Sequence, residues 1–216
     1  TSRTALVISV DPRFFRIYAP YLYFCAQQLP ELDLCLLLCG SGAEAKELIT
    51  DGRRYLAGLD ALNHSGIPRN IRHFVMPVPS LAAERRTFYA AARFFAATEL
   101  LGDYENLYLM DADLAVDAHP GAFLKKVASL PVAVPMSSGP AALSPWRRYM
   151  AGNIPLSRSV LETGFLEDLQ LYLAHGLRHR DSWMLDQNAL SYAVERFPGA
   201  VEDVNDYPRP IRTMRF

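Results

Sequence analysis

Apolar positions along the chain fall into two alternating patterns, short dense runs and longer stretches with a helical period. ALVISV at 5–10 reads as a strand and FRIYAPYLYFCAQQL at 15–29 as a helix. The next strand, LDLCLLLCG at 32–40, stops at Gly40-Ser41-Gly42, and AEAKELITDGRRYLAGLDAL then supplies one helix or two interrupted at Asp51-Gly52. IRHFVMPVP at 71–79 is a third strand. Glu84 to Leu101 carries Phe88, Ala92, Phe95 and Ala96 on one helical stripe, followed by a loop at Gly102-Asp103-Tyr104. Leu107 to Met110 is too short for a helix and suits a buried central strand.

Beyond residue 130 the rhythm changes. VAVPMSS is strand-like, Ser137 to Asn153 is turn-rich and aromatic, and helical patterns run through 158–177 and 183–196. Strand-helix alternation predicts an α/β fold with a Rossmann-like, mostly parallel central sheet flanked by helices on both faces, with ligands gathering at the carboxyl ends of the strands. No internal repeat or low-complexity linker divides the 216 residues, so a single domain is expected.

Composition narrows the functional classes. Twenty-two Lys and Arg against 23 Asp and Glu leave a net charge of -1, so there is no basic field for a nucleic-acid partner. The apolar runs fall far below the ~20 residues of a membrane span. The first residues, TSRTALVISV, lack an initiator Met and the layout of a signal peptide, which leads us to expect a domain excised from a longer polypeptide or a processed product. Cys35 and Cys39 lie in one strand-like run, about 13 Å apart at ~3.3 Å per residue, and cannot pair there. The three cysteines read as buried packing residues of a protein in a reducing, cytoplasmic compartment.

Asp111 and Asp113 stand one residue apart immediately after the strand 107–110, and would share a face if that strand continued. Two like charges at the edge of an apolar core raise each other's pKa unless a cation neutralises them. Oxygen ligands from so few carboxylates suit Mg2+ or Mn2+ completed by phosphate and water. The bland alternative is an acidic pair that hydrates a turn or caps a helix. On the preceding helix Arg86 and Arg93 lie seven residues apart, near one face. Arg93 interrupts the apolar stretch FYAAARFFAA, so it either snorkels, pairs with Glu99 or Asp111, or meets a phosphate.

The segment RTFYAAARFFAATELLGDYENLYLMDADLAVD resembles the Arg-bearing helix and Asp-x-Asp strand end of GT-A-fold glycosyltransferases, especially glycosyltransferase family eight and related bacterial nucleotide-sugar transferases. Two later blocks, Met150 to Leu156 and Trp183 to Leu190, resemble that family's Asn-containing acceptor-side strand and its Asp-Gln motif. The resemblance implies a nucleotide-sugar-binding half at 1–117, an acceptor-side half at 118–216, and a donor that is a nucleotide-diphosphate sugar, UDP-sugars being favoured. It further implies Asp111 and Asp113 as ligands of Mn2+ or Mg2+, with Ala112 between them at the donor. Arg93 would touch the Asp-x-Asp region or the donor, and Arg86 would add charge. Ser9, Val10 and Asp11 would cradle base and ribose, while Asp186, Gln187 and Asn153 would line the reaction centre.

Retention of anomeric configuration follows from the same resemblance, whereas an inverting enzyme would need Asp186 or another carboxylate as base. The family's carboxyl-terminal His ligand has no counterpart here, since no His follows His179. Either that block lies outside this segment, or Asp203, Asp206 or water completes the metal, or the domain is not fully active. Trp146 and the turn-rich 137–153 are the expected acceptor flap. Rival readings are a catalytically inert GT-A-like binding module, a haloacid-dehalogenase-like phosphatase with Asp111 as nucleophile, and a nucleotidyltransferase. No Gly-x-Gly-x-x-Gly follows ALVISV and no Walker loop occurs, which disfavours dinucleotide and P-loop chemistry.

Overall fold

In a computed structural model, the structure describes residues 3–64, 66–80, 85–116, 121–179, 184–205 and 211–213. Glu84, Trp183 and Asp206, singled out from the sequence, lie outside these residues.

The strands are β1 (Thr4–Val10), β2 (Leu32–Cys39), β3 (Ile71–Met76), β4 (Asn106–Met110), β5 (Leu114–Val116), β6 (Val132–Val134), β7 (Asn153–Ser157), β8 (Val201–Asp203) and β9 (Ile211–Thr213). The helices are α1 (Pro12–Gln28), α2 (Gly42–Asn63), α3 (Arg85–Asp103), α4 (Gly121–Val127), α5 (Pro145–Arg148), α6 (Phe165–His179) and α7 (Leu185–Arg196). A seven-stranded sheet has the order β3-β2-β1-β4-β7-β6-β8, and β5 pairs with β9 in a separate two-stranded sheet. The pairs β3-β2, β2-β1, β1-β4 and β6-β8 are parallel, and β7 runs antiparallel to both β4 and β6.

The β4 strand, buried from Leu107 to Met110, sits at the centre, and its side chains alternate between two cores. Leu107 and Leu109 join the core built with α3, α6 and α7, whereas Tyr108 and Met110 join the one under α1, α2 and α4. Cys25, Cys35 and Cys39 are free and buried, the packing role expected of them.

Local chemistry explains the boundaries. The Asp11 carboxylate accepts from the Phe14 amide and caps α1, whose first residue is Pro12, so the helix starts earlier than its apolar period suggests. Ser41 and Glu44 form a reciprocal capping box for α2. The α2 helix continues through Asp51-Gly52 without a break. A Cβ on Gly52 would meet the Tyr23 hydroxyl oxygen at 2.4 Å, so the glycine serves the packing of α2 on α1. The third strand ends at Met76, short of the predicted 79, and α3 absorbs Gly102 and Asp103. Residues 158–162 form a 3-10 turn before α6.

Candidate active site

The site is built at the carboxyl edge of the sheet, where β1 and β4 end side by side, Ile8 being paired with Met110. The antiparallel strand β7 enters the sheet at that edge, with Asn153 paired to Met110. After Met110 the chain turns: Asp111, Ala112 and Asp113 are not in a strand, and the Leu114 amide donates to the Asp111 carbonyl at 3.3 Å. The two carboxylates are therefore set by a turn, and the same-face rule of a continuing strand does not govern them.

The Asp111 carboxylate faces α3, on the side of the sheet that holds Leu107 and Leu109. There Arg93, only 2% exposed, places Nη1 2.6 Å from Asp111 Oδ1 and Nη2 3.4 Å from Asp186 Oδ2 on α7. Its Nη2 also donates to the Ala151 carbonyl at 3.2 Å. Of the readings open from the sequence, snorkelling and the Glu99 pair are overturned: the guanidinium is buried and bridges two carboxylates. A buried guanidinium keeps its charge and needs such partners.

The turn before β7 closes the other side of Asp111. The Asp111 amide donates to the Gly152 carbonyl at 3.0 Å, and a Cβ on Gly152 would stand 2.1 Å from Asp111 Oδ2. Only glycine leaves the carboxylate this position. Neither Gly152 nor the Ala151 carbonyl had been assigned a role from the sequence, because both act across a strand pair and leave no local pattern.

Asp113 is half-buried, and burial first, with the charge of Asp111 second, holds its carboxyl above the usual range. Asp186 is raised by burial against the opposing pull of Arg93. Its Oδ1 accepts from the Gln187 amide at 2.9 Å, inside the first turn of α7, whose N-cap is Met184. Asp186 thus lies within the first turn of α7 and is not its N-cap. The Gln187 side chain makes no hydrogen bond among the described residues.

Asn153 is buried, and its side-chain oxygen accepts from the Tyr108 hydroxyl on the α1 and α4 side of the sheet. The structure therefore does not join it to Asp186 or Gln187. Ser9 donates to the Tyr89 carbonyl at 2.6 Å and ties α3 to β1. Val10 is 1% exposed, so its backbone alone can face a ligand. Arg86 is exposed, two helical turns and about 10 Å along α3 from Arg93. Ala112 is buried.

With Asp111, Asp113 and Asp186 ionised against Arg93, the cluster carries a formal charge of -2. Asp111 has a 44% exposed side chain, and the oxygens of these two aspartates suit a hard divalent cation. The residues thus fit Mn2+ or Mg2+ as a two-carboxylate seat. Among the described residues no group of three His, Cys, Asp or Glu forms a complete metal site. Asp203, weighed above as a further ligand, ends β8 three strands from β4, about 14 Å away at ~4.8 Å per strand, and accepts from the Asn205 amide. It does not complete the pair.

No family profile and no curated protein matches the chain by sequence. Solved structures do match. An active-site glutamine-to-glutamate variant of LgtC aligns with a TM-score of 0.59 and 15% identity, over 94% of this chain and 73% of that one. The galactosyltransferase LgtC in complex with donor and acceptor sugar analogues gives 0.55 at 15% identity over the same shares. The glycosyltransferase GlyE of Streptococcus pneumoniae gives 0.57 at 15% identity, over 95% of this chain. The chain spans 46% of the length of GlyE. No helix among the described residues is long and apolar enough to cross a membrane. The sheet, its helical layers and these alignments together establish that the chain has the GT-A fold of the glycosyltransferases LgtC and GlyE.

Proposed function

We propose that this chain is the donor-binding domain of a metal-dependent glycosyltransferase, which moves a sugar from a nucleotide-diphosphate sugar to an acceptor with retention of configuration. The observation that carries the reading is the buried Arg93 bridging Asp111 and Asp186 at the carboxyl edge. A structural ion pair needs one carboxylate; here two meet one guanidinium and Asp113 stands two positions beyond Asp111, leaving an excess that a divalent cation balances.

In this reading Asp111 and Asp113 hold Mn2+ or Mg2+, which supplies positive charge to the leaving diphosphate. Arg93 does not reach the donor; it fixes Asp111 through Oδ1 and holds Asp186 in register with it. The backbone at Val10 and Asp11 faces the nucleotide. The position altered in the LgtC active-site variant is a glutamine, and here Gln187, adjoining Asp186 with its side chain unengaged among the described residues, meets the sugar or acceptor. Asn153 supports Tyr108 and the strand pair from beneath. The residues 1–216 form one domain with a donor half and an acceptor half, and the buried free thiols suit the reducing cytoplasm. A phosphatase is disfavoured, because a nucleophilic Asp111 would be held back by a guanidinium at 2.6 Å.

The test is thermal stability with UDP-, GDP-, CDP- and ADP-sugars, with and without Mn2+ or Mg2+, on the wild type and an Asp111→Ala, Asp113→Ala variant. A ligand that binds only the folded state raises the melting temperature. Metal-dependent stabilisation by one nucleotide class, lost in the variant, supports the assignment and names the base. No stabilisation by any donor moves the reading to an inert module of the same fold.

A further inference from the structure

We infer that His175 and His179 form a second metal site, a two-histidine chelate for Zn2+, Ni2+ or Cu2+ on the outer face of α6, distinct in place and in chemistry from the carboxylate pair. Residues four apart on a helix stand one above the other on the same face. The two imidazoles do so, with ring centroids 4.6 Å apart and planes inclined by 42°. Both residues are exposed, and among the described residues neither ring is engaged in a hydrogen bond or an ion pair. Their nitrogens are available, and rotation about the side-chain torsions turns one from each ring toward a shared ion. The helix has already fixed the backbone, so little further order is lost on chelation.

Ligand type selects the ion. Imidazole favours the late first-row ions in the order Ni2+ below Cu2+ above Zn2+, whereas carboxylates with water and phosphate favour Mg2+ and Mn2+. The chain thus separates two metal chemistries on two surfaces. Arg178 is exposed in the same turn and its like charge weakens the site, so water completes the coordination and the ion exchanges readily.

The placement has a mechanical consequence. The turn spanned by the pair contains Gly176, where a Cβ would come 2.4 Å from Leu185 Cδ1 on α7. Leu185 directly precedes Asp186. An ion on His175 and His179 therefore braces, from its outer side, the turn against which the first residue of α7 is seated.

Isothermal titration of the wild type, His175→Ala, His179→Ala and His64→Asn with ZnCl2 and NiCl2, and with MgCl2 for comparison, tests the site without reference to sugar transfer. The expected result is one Zn2+ or Ni2+ bound per chain, an affinity at least 10-fold lower in either single variant, and no change in His64→Asn. Mg2+ binding is expected to be the same in all four proteins. Both substitutions fall on exposed positions, so folding is preserved and circular dichroism verifies it. Absence of Zn2+ and Ni2+ binding, or binding that survives loss of either histidine, overturns the inference.

Discussion

Replacing Gly152 with Ala tests the packing of the candidate active site against a measured clearance. The added Cβ would lie 2.1 Å from Asp111 Oδ2 and 2.7 Å from its Cγ. An ordinary contact begins at 3.4 Å, so the carboxylate must retreat by about 1.3 Å. Retreat breaks the 2.6 Å contact to Arg93, which is 2% exposed and keeps only Asp186 at 3.4 Å and the Ala151 carbonyl at 3.2 Å. Because the Asp111 side chain is 44% exposed, it can swing into water, which puts the cost in the range of overpacking, about 1–3 kcal/mol. For a domain of this size that is a fall of roughly 2–10 °C in Tm. Function suffers more, since a misplacement of ~1 Å at a reacting centre costs about 100-fold. Gly58→Ala is the control: nothing lies within 4 Å of its Cβ, and the change within α2 favours the helix by up to about 1 kcal/mol. Thermal melts and metal-dependent donor binding of both variants give the readout. A Gly152→Ala protein with wild-type Tm and donor affinity would refute the claim that this glycine positions Asp111.

Two further predictions concern the scaffold. His73 Nε2 lies 2.8 Å from the Tyr23 hydroxyl, and burial, then Arg53, pushes the imidazole below its ordinary 6.5. The unfolded chain then binds the proton more readily than the native one, so His73 contributes stability above pH 6.5 that is lost as the pH falls through 6.5 toward the depressed native value. His73→Gln is expected to flatten the decline in Tm between about pH 7 and pH 5, and parallel curves for the two proteins would contradict this. Asn70, buried before β3, donates through Nδ2 to the carbonyls of Ala26, Leu29 and Leu32 at 3.0, 3.1 and 2.7 Å. Asn70→Ala strands these acceptors and is expected to cost about 1–3 kcal/mol in urea denaturation with an unchanged m-value; a loss below ~0.5 kcal/mol would show that other donors serve the turn.

The α/β class was legible because both of its signals are local. A dense run such as Leu107 to Met110 and a helical stripe such as Phe88, Ala92 and Phe95 are each visible within one element. Boundaries were less so. Gly52 reads as a breaker by propensity, yet α2 passes through it, because the close approach of Tyr23 outweighs the helical cost of a glycine. Asp11, expected only at the nucleotide, also caps α1. The Asp-x-Asp pair was found in sequence because its two members are neighbours, but its turn was not, since the apolar run ends without a glycine or proline to mark one.

What the sequence determined by itself was therefore the longer strands and helices, though not β5, α4, α5, β8 or β9, the placement of Asp111 at the end of a central strand, and the anomaly of a charge within FYAAARFFAA. Only the tertiary structure decided where that charge goes. The second partner of Arg93 is Asp186, 93 residues later, brought to it by the packing of α7 on α3. The pairing of β7 with β4, Asn153 opposite Met110, puts Asn153 on the opposite side of the sheet, although it precedes Asp186 in the resembling motifs. The physical reason is the range of the interactions involved. Periodicity and capping act over a few residues and leave their mark in order along the chain. The neutralisation of a buried charge depends on strand order and helix docking, which are settled by long-range burial and by the twist and pairing of the whole sheet.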